Sequence, residues 1–183
     1  GKEHKENLWT VDFICHGVPS PKVFREYVHW LEQKYHDKVV RFEFRNKDKG
    51  WKSSGLQMGT EVSFQSGKKI RLSPAYKDSF MNGFLDDLYL RPSCHNCRFK
   101  DLGNSYSDIT IADFWGVKSV DKDLYDGKGT SLILFHSAQG KELFEQTKDN
   151  FYYKKVHIDK AIRRNKSLFL SARENKERAC FWD

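Results

Sequence analysis

Three of the four cysteines stand where their sulfurs could hold a metal. Cys94 and Cys97 form a Cys-x-x-Cys knuckle in Arg91-Pro92-Ser93-Cys94-His95-Asn96-Cys97. Cys15 closes the apolar run Leu8-Trp9-Thr10-Val11-Asp12-Phe13-Ile14 and precedes His16-Gly17-Val18-Pro19-Ser20-Pro21. Two thiolates three residues apart can grip one metal centre, and a third from a strand end supplies most of a coordination shell. Cys15 by itself reads first as a small core hydrophobe. Its place at a strand end, just before a glycine, opens the ligand reading beside that one.

The knuckle has three readings. A zinc site needs further ligands, for which Cys15, His16 and His95 are candidates. A dithiol redox motif prefers the start of a helix after a strand, and Arg91-Pro92 makes an extended entry instead. An iron–sulfur centre takes three or four thiolates, which Cys15, Cys94 and Cys97 begin to provide. Cys180, in Arg178-Ala179-Cys180-Phe181 near the end of the chain, reads as a bystander.

Other polar groups are candidates for cofactor contacts. Lys128, Gly129, Thr130 and Ser131 precede an apolar segment and are rich in backbone and hydroxyl donors, so they suit phosphate. A plain turn is the favoured reading, and the order and spacing of a Walker loop are absent. Arg45, Lys47 and Trp51 offer cations for a diphosphate and an indole for stacking, or else a surface turn with an anchoring Trp. Asp108 and Asp113 flank a short strand and can fix loop amides or support a metal's ligands. No pair reads as a general acid and base, and no Ser-His-Asp order has a nucleophile-elbow context.

The elements that must carry these residues read as mixed α and β. Leu8 to Cys15 is an apolar strand that suits burial on both faces. Ser20 at the cap, Pro21 at the first helical position, and Val23, Phe24, Tyr27, Val28 and Leu31 on one face predict a helix. Val39 to Arg45 alternates like a half-buried strand, and Leu56 to Leu72 reads as a hairpin turning at Gln65-Ser66-Gly67-Lys68. Tyr76 to Leu88 predicts a helix running into the knuckle. Ile109 to Ile111 and Leu132 to Phe135 predict buried strands, Lys141 to Lys148 a helix, Phe151 to Val156 a strand, and Asp159 onward a basic helix. Without strict βαβ alternation, the expectation is one mixed sheet with flanking helices and a cysteine-containing loop, in a single domain spanning residues 1–183.

Composition allows this. A chain of 183 residues with 38% apolar and 15% aromatic content can build a core without disulfides. No apolar stretch reaches the roughly 20 residues of a membrane span, and the N-terminus lacks the pattern of a signal peptide. Four cysteines without a secretory signal favour a reducing, cytoplasmic setting. The net charge of +7 favours anionic partners. The basic groups are short and scattered, so a solvated surface is favoured over a nucleic-acid groove.

Several of these segments together resemble the C-terminal domain of the coenzyme F(420) hydrogenase/dehydrogenase beta-subunit family. They are Asp12 to Pro21, Phe44-Arg45-Asn46-Lys47 with Gly50-Trp51, Arg91 to Lys100, Ser107 to Gly116, and Lys128 to Ser131. Order and spacing agree from about Leu8 to the end of the chain. The resemblance implies an oxidoreductase subunit, an iron–sulfur flavoprotein that passes electrons between FAD, a 4Fe–4S cluster and a redox partner. That partner would be a ferredoxin-like domain, a hydrogenase or dehydrogenase subunit, or the deazaflavin itself.

By position Cys15, Cys94 and Cys97 match family cysteines that look like cluster ligands. Full-length members usually carry a further cysteine and a ferredoxin-like domain upstream, so the chain is expected to be a domain excised from a longer protein. By itself it is expected to be mostly apo and inactive. The rival, from another class, is a zinc-knuckle module binding an anionic partner such as single-stranded nucleic acid.

Overall fold

The structure is a computed structural model that describes residues 8–46, 59–72, 78–100 and 106–183. In chain order its elements are β1 (Val11–Phe13), α1 (Pro21–Tyr35), β2 (Val39–Asn46), β3 (Gly59–Phe64), β4 (Lys69–Leu72), α2 (Ser79–Leu85) and α3 (Pro92–His95). There follow β5 (Ile109–Asp113), α4 (Val117–Val120), β6 (Ser131–Phe135), α5 (Ala138–Thr147), α6 (Ile158–Ile162) and α7 (Arg178–Trp182). The mixed α and β class is the one expected. The strands, however, divide between two three-stranded sheets rather than forming one. The chain forms two compact units: Gly1–His16 with Cys97–Ser171, and Gly17–Asn96 with Ala172–Asp183.

In the first unit the sheet order is β1-β5-β6. β1 runs parallel to β5, with Val11 opposite Ile109 and Phe13 opposite Ile111. β5 and β6 are antiparallel, from Ile109 opposite Phe135 to Asp113 opposite Ser131. Ala112, Leu132 and Leu134 turn into a core with Phe114, Val117, Ala161 and Leu168. The expected burial of β1 on both faces is not observed: Val11 is 55% and Phe13 70% exposed. Val11 and Phe13 lie on the sheet face opposite the one that Ala112, Leu132 and Leu134 turn into the core, and Ile111 on that same face of the central strand is 41% exposed.

Asp108 ties this unit together, and the expectation that it fixes loop amides is met. Its carboxylate accepts from the Thr10 amide at 2.9 Å, the Thr10 hydroxyl at 2.8 Å and the Ser137 hydroxyl at 2.6 Å. Ser137 is also the N-cap of α5, accepting from the Gly140 amide. One buried carboxylate thus joins the segment before β1, the start of β5 and the start of α5.

In the second unit α1 packs on the antiparallel sheet β2-β3-β4. Tyr27 and Leu31 from α1 meet Val62, Phe64, Phe80, Met81 and Tyr89. Pro21 begins α1 as expected, although Ser20 holds the cap position without a side-chain cap bond. The β3–β4 turn closes where Gly67 takes a φ of +88°. Asp78 caps α2 through the amides of Phe80 and Met81 and also accepts from the Thr60 hydroxyl. Burial first, then the charge of Asp78, pushes the Tyr27 phenol far above its usual range.

Two further expectations are corrected. Phe151 to Val156 forms no strand. This segment is held by ring contacts instead, Phe144 to Phe151 at 6.2 Å and Phe144 to Tyr153 at 5.0 Å. The basic helix from Asp159 is only the five-residue α6. Among the described residues no helix is long and apolar enough to cross a membrane.

Candidate functional site

Within the first unit, β1 leads straight to Cys15. The Ile14 amide still pairs with the Ile111 carbonyl at 3.0 Å, so the backbone enters Cys15 from a fixed ladder. The Cys15 carbonyl then accepts from the Lys100 ammonium at 2.6 Å, and the same ammonium donates to the Ser167 carbonyl at 2.7 Å. Lys100 lies three residues beyond Cys97, whose own amide donates to the Ser171 hydroxyl at 2.9 Å. The unit therefore fastens the Cys15 backbone to the segment leaving the knuckle.

Within the second unit, the residues that follow His16 in sequence meet the segment that carries Cys94. The Val18 amide points at the Cys94 sulfur at 3.3 Å, and the Arg91 amide returns a bond to the Val18 carbonyl at 2.9 Å. Pro19 and Leu90 form an isolated antiparallel bridge, followed by the Ser20 amide on the Tyr89 carbonyl at 2.9 Å. Gly17 is required here: a Cβ would stand 2.6 Å from Leu90 Cδ1. Cys94 lies in the single turn of α3, which Pro92 starts, rather than in an irregular loop. An amide aimed at a cysteine sulfur is the contact that stabilises charge on a metal-bound thiolate.

Cys15, Cys94 and Cys97 are free thiols of intermediate burial, whereas Cys180 is exposed. Each unit holds part of the candidate donor set: Cys94 with an amide on its sulfur in one, Cys15 with a cation on its backbone carbonyl in the other. Among the described residues no three Cys, His, Asp or Glu side chains are already grouped to hold a metal ion. His16 is exposed. His95 is half-buried; its Nδ1 lies 3.1 Å from the Ala172 carbonyl, and its Nε2 is buried without a partner.

Gly129, Thr130 and Ser131 line a cleft of about 800 Å³ in the first unit. Phe144, Phe151, Tyr152 and Tyr153 form its aromatic wall, with Lys141, Lys154 and Lys155 among its cations. Much of the turn's polarity is spent internally. The Thr130 hydroxyl donates to the Leu124 carbonyl at 2.5 Å, and the Lys128 amide donates to Asp126 at 2.8 Å. Lys154 is paired with Asp121 and Asp123 at 3.0 Å each. Arg45 is an exposed residue of β2 in the second unit, and Lys47 and Trp51 lie outside the described residues.

The family model for the coenzyme F(420) hydrogenase/dehydrogenase beta subunit, C terminus, matches residues 1–161. The chain belongs to this family. The match takes in all three candidate cysteines, Arg45, Lys47, Trp51 and the turn at Lys128 to Ser131. No curated protein and no solved structure matches the chain.

Membership in the beta-subunit family covers less than the resemblance suggested, since residues 162–183 lie beyond the match. Those residues nevertheless supply three partners of the motif: the Ser167 carbonyl to Lys100, the Ser171 hydroxyl to Cys97 and the Ala172 carbonyl to His95. Sequence reasoning passed over Lys100 and these partners. Backbone carbonyls leave no mark on a sequence, and a lone lysine near a knuckle reads as solvated charge.

Proposed function

We propose that the chain is the electron-transfer domain of an iron–sulfur flavoprotein oxidoreductase subunit, with Cys15, Cys94 and Cys97 as iron ligands. The observation that carries this reading is the Val18 amide on the Cys94 sulfur, a contact of the kind that tunes a cluster. A 4Fe–4S cluster, when bound, supplies one-electron exchange with FAD and with a redox partner. The chain's own residues set the surroundings of that exchange. Val18 donates to the Cys94 sulfur, and Lys100 keeps a positive charge on the Cys15 backbone.

The flavin contacts proposed are Arg45, Lys47 and Trp51 together with Lys128, Gly129, Thr130 and Ser131. The Gly129 to Ser131 lining of an aromatic cleft supports the second group. The partner is a redox protein, such as a ferredoxin-like domain or a hydrogenase or dehydrogenase subunit, or a deazaflavin. A reducing cytoplasm suits free thiols of this kind.

Anaerobic reconstitution with ferrous iron and sulfide tests the reading. The expected product shows broad visible absorbance with iron and sulfide in equal amounts, and Cys94→Ser abolishes it. One zinc per chain with no chromophore, or colour that survives Cys94→Ser, overturns the ligand set.

A further inference from the structure

Within the first unit, β6 is the edge of its sheet. The His136 amide bonds the Asp108 carbonyl and the Phe114 amide the Thr130 carbonyl, which fixes the alternation along the β5–β6 ladder. Leu132 and Leu134 therefore bond β5, while the N–H and C=O of Ile133 and Phe135 point away from it. Among the described residues no backbone hydrogen bond reaches those outward groups. The whole of β6 lines the cleft of about 800 Å³.

Phe151 to Val156 lines the same cleft. Its aromatic residues favour strands, yet it joins no ladder. The Phe144 ring meets Phe135 at 5.2 Å, Tyr153 at 5.0 Å and Phe151 at 6.2 Å, so a side chain, not a ladder, links β6 to this segment at the α5 end. At that end Lys148, Lys155 and Lys141 all act on one carboxylate, Glu145. Glu145 pairs with Lys148 at 2.8 Å, and Lys141 and Lys155 make no ion pair among the described residues. Toward the other end Lys154 is paired with Asp121 and Asp123.

We propose that the cleft binds an extended acidic segment of another protein, which adds as a fourth strand on the open edge of β6 and places carboxylates on Lys141 and Lys155. Donors and acceptors in line at strand spacing are what a second backbone matches. The unpaired lysines set the sign of the partner's charge. The pairing uses Ile133 and Phe135; the turn at Gly129 to Ser131, where flavin contacts are proposed, lies at the opposite end of β6. The inference goes beyond the redox reading and needs no cluster.

The test uses the full chain and the end-blocked synthetic peptide Glu-Glu-Val-Thr-Val-Thr-Val-Glu-Glu, read by NMR amide hydrogen exchange. Without peptide, Ile133 and Phe135 exchange fast while Leu132 and Leu134 are protected. With peptide, exchange at Ile133 and Phe135 slows by about tenfold or more. N-methylation of the peptide backbone abolishes the effect, as does lysine in place of its glutamates. Lys141→Glu with Lys155→Glu weakens binding by about tenfold. Ile133→Pro removes an outward N–H and no bond to β5, so it loses the peptide while staying folded by circular dichroism.

Protection of Ile133 and Phe135 without any peptide would mean that Phe151 to Val156 closes the edge itself, and the proposal falls. It falls equally if the N-methylated peptide still binds the wild-type chain, or if the lysine peptide binds as tightly as the acidic one.

Discussion

The ammonium of Lys100 bonds the carbonyl oxygen of Cys15 at 2.6 Å, although 85 residues separate them. The same ammonium holds the Ser167 carbonyl at 2.7 Å, so one cation clamps two backbone segments. Both acceptors are neutral, and the charge of Lys100 is not cancelled by a carboxylate among these bonds. A positive centre therefore stays on the backbone of a candidate iron ligand, where an anionic cluster would benefit from it.

Lys100→Met removes both bonds while keeping most of the aliphatic stem. The expected loss is about 2 kcal/mol, the scale of charge-assisted hydrogen bonds in a partly buried setting. Urea unfolding should show a lower midpoint, and Cys15 should react faster with a thiol reagent while exposed Cys180 is unchanged. An unaltered midpoint would show that the clamp contributes nothing to the fold.

Two glycines separate steric from conformational demand. A Cβ on Gly140 would stand 2.5 Å from the Asp108 carbonyl oxygen and 2.9 Å from Ile109 Cγ1, so Gly140→Ala must push α5 off β5. The expected cost is about 1–3 kcal/mol. Gly127 has open space around it but a φ of +76°, so Gly127→Ala should cost roughly 1 kcal/mol through backbone strain alone. Thermal unfolding of the two variants checks the order, and a larger loss at Gly127 would refute the close approach of α5.

Asp37 gives a pH signature. The Ser66 hydroxyl is the main cause that holds its carboxyl below the usual carboxylate range; the Ser66 and Lys38 amides assist. Because the folded value lies below the unfolded one, the stabilisation is present above the unfolded pKa. It is lost as pH falls through the folded value. Ser66→Ala should move the Asp37 titration upward, toward an ordinary carboxylate, and shrink the acid-side loss. Carboxyl-carbon NMR titration of Asp37 in both proteins measures this; coincident curves would remove Ser66 as the cause.

Local chemistry made part of this protein legible. Pro21 with apolar residues at helical spacing predicts α1, and Gly67 between alternating segments predicts the β3–β4 turn, because these signals act within a few residues. The spacing of Cys15, Cys94 and Cys97 with their neighbours is likewise a property of the chain itself, and it leads to the beta-subunit family. The apolar run Leu8 to Cys15 misled on burial, since hydrophobicity alone does not say whether both faces of a strand are covered. Phe151 to Val156 misled on ladder formation for a related reason: its rings found partners in Phe144, and its backbone found no strand.

By itself, then, the sequence determined the residue types of the candidate site, the helices and turns with local signals, and membership in the family. Only the tertiary structure decided that the strands part into two sheets, that Val18 aims its amide at Cys94, and that Lys100 clamps Cys15 to Ser167. It also decided that the Nδ1 of His95 meets the Ala172 carbonyl, leaving Nε2 bare. The physical reason is common to all of these. Backbone amides and carbonyls are the same at nearly every residue, so which of them meets a given side chain is set by long-range chain closure rather than by any local pattern.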